Sequence, residues 1–470
     1  MTIVATRVSF HDPDGSVYFF DQRVLRVLTP AAAGRIEAFL ATDVFRKLES
    51  QGSLPSTSRV PSDVTETLGS STCDDVWFEH DRLPFINYPH EWLPEQFLEA
   101  CALTLEIAAE LRCCGWDVKD GNARNVVFDG LNPVFVDFGS FQQRDDSTPV
   151  WLPAGQIQRH FLLPLLIQRR LGMNPDSLMH SRPDGLSHEE AYRLLRGVRV
   201  TDRHAFWLCT LPVWLSRWGG REPQVTKHSL GIEACRAAAD RTVNSLLTRC
   251  RAIAASLSTP ESEWARYESA RSHYSAEQLE LKRCVVDRMI GRIKPADTLD
   301  IGTNGGEFAN LAAGHGSRVV SIDTDVDALR VARLAAKQTQ RDVLHLHVDF
   351  AAPSPALGWS AAECLSFDQR CHEHFDLVLA LAVMHHVLAS GRIPMDEILA
   401  KLASYTRSWL LVEYIDPSDM MFATLARNCA SDFCSLDSRA FERALARHFD
   451  VKETVDVIPG RRALYLCRRK

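Results

Sequence analysis

The sequence has no apolar run as long as the ~18 residues of a membrane-spanning helix, and its N-terminal segment, MTIVATRVSFHDPDG, has no apolar core of signal-peptide type. It also has no basic tract, and its formal net charge is −7, so strong electrostatic binding to nucleic acid is not expected. Its 13 cysteines do not follow the spacings of a secreted disulfide framework. These absences predict a cytoplasmic protein without a membrane or nucleic-acid partner.

Recognisable metal ligands are scarce as well. Cys364, Cys371, His372 and His374 lie close together in CLSFDQRCHEHF, but no second CxxC or HxxxH segment accompanies them. A metal site and a polar loop ahead of the strand that begins at Phe375 are both open interpretations. The polar loop is favoured, and no metal is predicted.

Length and composition indicate more than one folded domain. The chain has 470 residues, of which 46% are hydrophobic and 24% charged, as is typical of globular proteins too long for one core. The polar segment SLSTPESE, residues 256–263, separates two parts with different patterns. The sequence therefore predicts one domain over residues 1–255 and a second over residues 264–470.

The first part mixes short strands with helices. Residues 16–28, SVYFFDQRVLRVL, predict a hairpin, and one helix is predicted from Pro30 to residue 50. The apolar segment 94–114 predicts a further helix, followed by the short strands NVVFD and PVFVD. Residues 151–250 are mostly helical in pattern, so the first domain is predicted to be α+β.

The second part alternates strands with helices throughout. After a polar helix over residues 264–292, the strand segments TLDIG, RVVSID, LHLHVDF, FDLVLALAV and SWLLVEY are separated by helical segments. This alternation predicts a parallel sheet with right-handed crossovers. FDVKETVDVI and RRALYLCRR then predict a closing pair of antiparallel strands, giving an α/β domain.

A small-residue turn follows the first strand of this sheet. It reads DIGTNGGEF and is not a good dinucleotide GxGxxG, yet small residues at a helix N-terminus let a ligand lie close to the backbone. Its candidate ligand-binding residues are Asp300, Gly302, Thr303, Asn304 and Gly306.

Further candidates follow the next three strands. Asp323 and Thr324 end the second strand, where a carboxylate can accept both hydroxyls of a ribose. Asp349 and Phe350 follow the third, where an acid can bind an adenine amino group and an aromatic ring can cover it. Leu381 ends the fourth. Three strand-end acids in order, Asp300 at the glycine turn and then Asp323 and Asp349, are unusual by chance.

This order of residues resembles the class I S-adenosylmethionine-dependent methyltransferases over roughly residues 264–470, with Asn304 in place of the middle glycine of the DxGxGxG motif. The resemblance implies a Rossmann-like methyltransferase sheet with S-adenosylmethionine as the cofactor. It also implies methyl transfer to an O or N atom of a small-molecule substrate, in bacterial specialised metabolism.

Catalytic candidates lie at the ends of later strands. His385 and His386 follow the fourth strand, where a neutral imidazole could accept the proton of the methyl acceptor, although packing or positioning roles are equally open. Glu413 ends the fifth strand as either a catalytic or a structural residue. Tyr274 and Lys282 are predicted on the preceding helix, which covers the cofactor in similar enzymes.

A second motif lies in the first domain, in VKDGNARNVVFDGLNPVFVDFGSF. Asp120, Asn125 and Asp137 resemble the catalytic Asp, metal-binding Asn and metal-binding Asp of the protein-kinase-like fold, and the resemblance implies magnesium held between phosphates. No glycine-rich phosphate loop and no strand lysine accompany them, Arg26 being the nearest cation. A catalytically inactive kinase-like domain is therefore favoured over an active one.

The two parts together resemble a bacterial family of two-part methyltransferases with nodulation-associated members. Two alternatives stay open: a small-molecule phosphotransferase whose methyltransferase domain is regulatory, and a sensor or scaffold that binds S-adenosylmethionine without catalysis. The sequence does not indicate the methyl acceptor or the oligomeric state.

Overall fold

The computed structural model describes residues 6–20, 22–61, 75–219, 231–256, 274–427 and 436–470. The chain divides into two compact units. The first unit comprises Met1–Ser258 with the short segment Ala356–Cys364, and the second comprises Thr259–Pro355 with Leu365–Lys470. The predicted linker, 256–263, lies outside the described residues from position 257 onward.

The first unit begins with an antiparallel sheet in the order β1-β2-β3-β5-β4. Its strands are β1 (Thr6–Arg7), β2 (Gly15–Phe20), β3 (Arg23–Leu28), β4 (Thr57–Arg59) and β5 (Val76–His80). The predicted hairpin is confirmed, because β2 pairs antiparallel with β3 and Val17 lies opposite Arg26.

The single helix predicted from Pro30 to residue 50 is wrong, because two helices, Pro30–Leu40 and Asp43–Ser50, occupy this stretch. Thr42 separates them: its backbone is extended, and its hydroxyl accepts a hydrogen bond from the Phe45 N–H at 3.2 Å. A threonine that caps the second helix in this way satisfies a free N–H group and resets the chain direction.

The rest of the first unit is helical apart from two small two-stranded antiparallel sheets, which confirms the α+β prediction. One sheet pairs β6 (Trp116–Val118) with β9 (Phe141–Gln143), and the other is a hairpin of β7 (Val126–Asp129) and β8 (Asn132–Phe135). The α-helices are Pro94–Cys113, Pro153–Ile157, Leu163–Leu171, Pro175–Ser181, His188–Leu194, Arg203–Ala205, Leu211–Gly219 and Ile232–Ala254. Between them, Gln158–Leu162 and Phe206–Thr210 form wide π turns. Each is followed two residues later by a proline, which has no N–H to donate.

The second unit contains one sheet in the order β12-β11-β10-β13-β14-β16-β15. Its strands are β10 (Asp297–Ile301), β11 (Arg318–Asp323), β12 (Val343–His347), β13 (Phe375–Ala380), β14 (Thr406–Ile415), β15 (Phe449–Ile458) and β16 (Arg462–Arg469). Strands β10 to β14 run parallel, whereas β16 lies antiparallel between β14 and β15. The predicted parallel sheet and its closing antiparallel pair are confirmed.

Helices connect the strands of this sheet, at Ala276–Ile293, Glu307–Gly314, Val326–Gln338, Phe367–Cys371, Met384–Ala389, Met395–Tyr405, Met420–Leu425 and Ser438–Leu445. The strand order reverses between β10 and β13, and ligands of open α/β sheets bind at the carboxyl ends of strands at such a point. Among the described residues, no helix combines the length and the apolarity needed to cross a membrane.

Candidate functional site

The turn after β10 has a backbone that glycine makes possible. Gly302 has φ +69°, and a Cβ at this position would lie 2.4 Å from Cγ2 of Val383, which follows β13. Gly306 has φ +80°, and its Cβ would lie 2.8 Å from the Cβ of Ala332. Any side chain at either position would force the turn away from its neighbours, so these glycines keep the carboxyl end of β10 open to a ligand.

Asn304 replaces a glycine of the motif without a large backbone cost. Its φ is +46°, in the left-handed region that asparagine tolerates better than most residues. Its backbone N–H donates to Oδ2 of Asp323 at 2.8 Å, while its own Oδ1 is buried without a hydrogen-bond partner in the described part of the chain. The turn is therefore tied to the end of β11 and keeps one free acceptor.

Asp323 organises this edge of the sheet. Besides the Asn304 contact, its Oδ1 accepts from the Asp325 N–H at 3.0 Å. Burial raises the pKa of Asp323, and these backbone amides oppose the rise. Each carboxylate oxygen can accept a second hydrogen bond, so the side chain can still bind two hydroxyl groups.

Asp300 lies beneath the turn and is buried. The Thr303 hydroxyl donates to its Oδ2 at 2.7 Å. Burial raises the pKa of Asp300 to about 7, although the Thr303 hydrogen bond lowers it. The carboxyl group is therefore close to half-ionised at neutral pH in the ligand-free protein.

We expect the ligand-free Asp300→Asn protein to lose less stability than the ligand-free wild type as the pH rises. The pKa of Asp300 is about 7 when folded and about 4 in an unfolded chain, so its contribution to stability is present at low pH and lost as the pH rises through about 7. Between about pH 5 and about pH 8, the melting temperature of the wild type should fall by more than that of the variant. Calorimetry at both pH values measures the difference. Equal decreases would show that the Asp300 charge is not buried.

The remaining cofactor candidates surround one cavity of about 550 Å³ in the second unit. Thr324, Asp349, Phe350 and Leu381 line it together with the glycine turn. Phe350 and Leu381 are buried, whereas Thr324 and Asp349 are exposed. Apolar walls with a few converging acids are typical of a site for an adenosine-containing ligand.

His385 and His386 line the same cavity from the helix Met384–Ala389, which begins just after β13. His385 is buried, and its Nδ1 has no hydrogen-bond partner among the described residues. Burial and the neighbouring His386 hold the pKa of His385 well below its usual value, and burial lowers that of His386. Both imidazoles are therefore neutral at physiological pH and able to accept a proton or a hydrogen bond.

Glu413 is fully buried and does not line the cavity. Its Oε1 accepts from the Tyr274 hydroxyl at 2.6 Å and its Oε2 from Lys282 Nζ at 2.7 Å. Both oxygens are therefore occupied by hydrogen bonds. This arrangement indicates that the carboxylate positions Tyr274 and Lys282 rather than acting in catalysis. Those two residues do line the cavity, and burial raises the pKa of Tyr274, so its hydroxyl stays protonated.

Arg462 and Asp419 extend this buried network and were not found from the sequence. The Arg462 guanidinium donates to both oxygens of Asp419, at 2.8 and 2.9 Å, and to the Tyr274 hydroxyl at 2.7 Å. Arg462 begins β16, which runs antiparallel to β14, so it lies at the same edge as the carboxyl ends of the parallel strands. The segment RRALYLCRR predicts a strand, but it does not show that the first residue of this strand lies beside the cavity.

In the first unit, Asp137 is paired with an arginine. Arg26 of β3 is buried, and its guanidinium lies 3.3 Å from Oδ1 of Asp137 and 3.9 Å from Asp12. Its Nε donates to Nε2 of His80 at 3.4 Å, and burial lowers the pKa of His80 to about 3, which keeps that ring a neutral acceptor. Burial raises the pKa of Asp137, and Arg26 opposes the rise. The carboxylate of Asp137 is therefore paired with a buried guanidinium.

The neighbouring kinase-like residues are only partly assembled. Asp120 Oδ1 accepts from the Gln156 amide at 3.1 Å, and Nδ2 of Asn125 is buried without a partner in the described part of the chain. The turn between β1 and β2 presents the carboxylates of Asp12 and Asp14, and Lys119 lies 3.9 and 3.8 Å from them. This turn has side-chain carboxylates where a glycine-rich loop would offer backbone N–H groups to a phosphate.

Metal ligands do not converge in the described residues. No group of three or more His, Cys, Asp or Glu side chains is placed there to hold a metal ion. Cys371 is buried in the helix Phe367–Cys371, where a polar loop was expected. All ten cysteines described are free.

Residues 273–450 match the model of a family described as a methyltransferase domain. The second unit therefore contains a methyltransferase domain. Over 466 residues, 98% of this chain and 95% of the relative, the chain is 28% identical to the nodulation protein NoeA of Rhizobium meliloti (strain 1021).

Two solved structures are similar to part of the chain. Magnesium protoporphyrin IX methyltransferase (ChlM) from Synechocystis PCC 6803 with bound SAH is 15% identical, with 40% of this chain and 83% of that chain covered and a TM-score of 0.29. The bifunctional kinase-methyltransferase WbdD is 18% identical, with 40% of this chain and 39% of that chain covered and a TM-score of 0.27.

Proposed function

We propose that the protein transfers a methyl group to an O or N atom of a small metabolite in bacterial specialised metabolism, with His385 as the proton acceptor. The observation that carries the proposal is the convergence of the glycine turn, the strand-end acids and His385 on one cavity of the methyltransferase domain. The relative's name, a nodulation protein, supports a specialised pathway rather than a central one.

The residues of the cavity fit S-adenosylmethionine. Asp323 would bind the ribose, Asp349 and Phe350 the adenine, and the turn at Asp300 and Asn304 the methionyl part. When bound, this cofactor supplies an electrophilic methyl group on a sulfonium, whose leaving group is neutral. Transfer therefore depends mainly on alignment, which the fixed turn and the buried network provide.

His385 would bind the methyl acceptor by accepting a hydrogen bond from its hydroxyl or amine group. A neutral imidazole that lines the cavity can accept a hydrogen bond from a hydroxyl or amine and take the proton as the new bond to carbon forms. Because burial keeps the pKa of His385 low, the ring is unprotonated and can take up a proton throughout the physiological pH range. His386 lies beside it, with ring centroids 4.2 Å apart, and would restrict its orientation.

The kinase-like unit would act as a scaffold or substrate-binding module without phosphotransfer. Support comes from the Arg26–Asp137 pair and from the carboxylates at the turn between β1 and β2. Titration calorimetry with S-adenosylmethionine and with ATP-magnesium tests the division of roles. We expect binding of the first alone. Binding of ATP-magnesium with phosphate release would favour the phosphotransferase, and binding of S-adenosylmethionine without turnover of any acceptor would favour a sensor.

We expect Asp137→Asn to leave methyl transfer independent of added ATP and magnesium. The substitution keeps the side-chain shape and the hydrogen bond to the Gly139 N–H, but removes the charge that pairs with Arg26. A scaffold should lose only some stability, whereas a phosphotransferase that needs this carboxylate for its metal would lose activity by orders of magnitude. A paired assay follows ATP consumption and methylation in both proteins. Wild-type ATP turnover that disappears in the variant would overturn the proposed role of this unit.

A further inference from the structure

A row of four aromatic rings lies at the surface of the first unit. Ring centroids are 5.7 Å apart for Trp207 and Phe206, 6.1 Å for Phe206 and Trp214, and 6.2 Å for Trp214 and Trp218. Trp207 is 49% exposed, Trp218 is 81% exposed, and Leu215 beside them is 58% exposed. Contiguous large apolar side chains in water mark an interaction surface more often than chance.

Arginines border this row. The Arg249 guanidinium lies over the Trp207 ring, 5.9 Å from its centroid. Arg199 and Arg217 lie over the ring of Tyr192. The Tyr192 hydroxyl accepts a hydrogen bond at 3.1 Å from Nε1 of Trp214, which belongs to the aromatic row. One arginine therefore packs on the row itself, and two pack on a buried tyrosine that is hydrogen-bonded to it.

The local charge balance is opposite to that of the whole chain. Residues 188–219 hold five arginines and three acidic residues, while the chain carries a net charge of −7. Each of the three acids already has an arginine partner, in the pairs Glu189–Arg217, Glu190–Arg182 and Asp202–Arg170. Arg196, Arg203 and Arg249 form no ion pair among the described residues. Within the described residues, the surface therefore has more arginines than acidic partners next to its exposed tryptophans.

We propose that this surface, the aromatic–arginine face (Trp207, Leu215, Trp218, Arg203 and Arg249), binds the surface of a lipid bilayer that contains anionic lipids. Tryptophan and leucine side chains insert at the boundary between headgroups and acyl chains, and arginines bind lipid phosphates. The association is peripheral, because the helix Leu211–Gly219 has nine residues, far fewer than the ~20 that span a bilayer.

The chemistry of the face favours lipid over the other occupants. A sugar-binding platform would combine flat rings with free carboxylates, but the acids of this segment are all engaged with arginines. A second copy of the chain would have to bring its own uncompensated arginines against these ones, which costs repulsion. An anionic bilayer satisfies both the exposed rings and the cations.

The test is co-sedimentation of the full chain with vesicles of equal parts phosphatidylglycerol and phosphatidylcholine. We expect binding to these vesicles, weaker binding to pure phosphatidylcholine, and a decrease with added salt. The double variant Trp207→Ser, Trp218→Ser should bind about tenfold more weakly, since two interfacial rings are lost. Arg203→Gln with Arg249→Gln should lose the preference for anionic vesicles.

Trp359→Ser is the matched control, because Trp359 is 64% exposed elsewhere in the chain and forms no part of the face. It should bind vesicles as the wild type does. The proposal is overturned if the wild type does not sediment with anionic vesicles, or if Trp359→Ser loses as much binding as the double variant. A wild-type dimer that becomes monomeric in the double variant, with no vesicle binding in either, would assign the face to a second copy.

Discussion

Asp323→Ala is expected to weaken S-adenosylmethionine binding at least about tenfold while the fold stays intact. The carboxylate can accept two ribose hydroxyls, and losing one charge-assisted hydrogen bond costs about 1.4 kcal/mol or more. The same change removes the acceptor for the Asn304 and Asp325 N–H groups, so the glycine turn also loses its anchor. Titration calorimetry measures the dissociation constant. Asp323→Asn should lose less, because its amide oxygen still accepts one backbone N–H.

Asp450→Ala provides the comparison for this experiment. Asp450 is an exposed acid on β15, so its removal changes the net charge equally without touching the cavity. The affinity of the Asp450→Ala protein for S-adenosylmethionine should match that of the wild type. If a folded Asp323→Ala protein also binds normally, Asp323 does not belong to the cofactor site.

His385→Gln is expected to lower the rate of methyl transfer about a hundredfold or more and to leave S-adenosylmethionine affinity nearly unchanged, because a positioned general base contributes rate rather than cofactor binding. The measurement is turnover of an acceptor found by screening hydroxyl- and amine-bearing metabolites. Since the pKa of His385 is well below its usual value, the wild-type rate should not fall from protonation of this ring until well below pH ~6.5.

Two further histidine variants make this result specific. His315→Gln is a matched control, because His315 is exposed and pairs with Asp287 away from the cavity. It should retain full activity. His386→Gln tests the neighbouring ring directly, and a larger loss there than in His385→Gln would move the base from one histidine to the other. Equal, small losses in both would mean that alignment alone carries the reaction.

The grouping of the proposed cofactor-binding residues around one cavity could be predicted from the sequence, because these residues lie at strand ends. In a parallel sheet, residues that follow consecutive strands meet at one edge, so Asp323, Asp349 and His385 converge whatever the details of packing. The sequence also predicted that the glycine turn tolerates asparagine at position 304. The structure gives the reason, because this residue has a positive φ that asparagine can adopt.

The role of Glu413 needed the tertiary structure. A catalytic glutamate and a structural glutamate can both lie at the end of a strand. Only the hydrogen bonds of the side chain distinguish these two roles. Tyr274 and Lys282 come from a segment far away in sequence, and they engage both of its oxygens. Arg462 joins them from β16, which a linear pattern cannot place beside β14.

The kinase-like motif was similarly ambiguous. Asp120, Asn125 and Asp137 have suitable spacing, and the missing strand lysine indicated an inactive unit. The contact between Arg26 and Asp137 depends on the packing of β3, which the spacing of the motif does not reveal.

The sequence by itself determined the alternation of strands and helices, the glycine turn and the order of the strand-end residues, because hydrophobic periodicity and backbone requirements are local properties. Tertiary structure alone decided which charged side chains remain available. Whether a carboxylate or guanidinium is free depends on partners distant in the chain, as in the Lys282–Glu413 and Arg462–Asp419 pairs, and on burial that no short segment encodes.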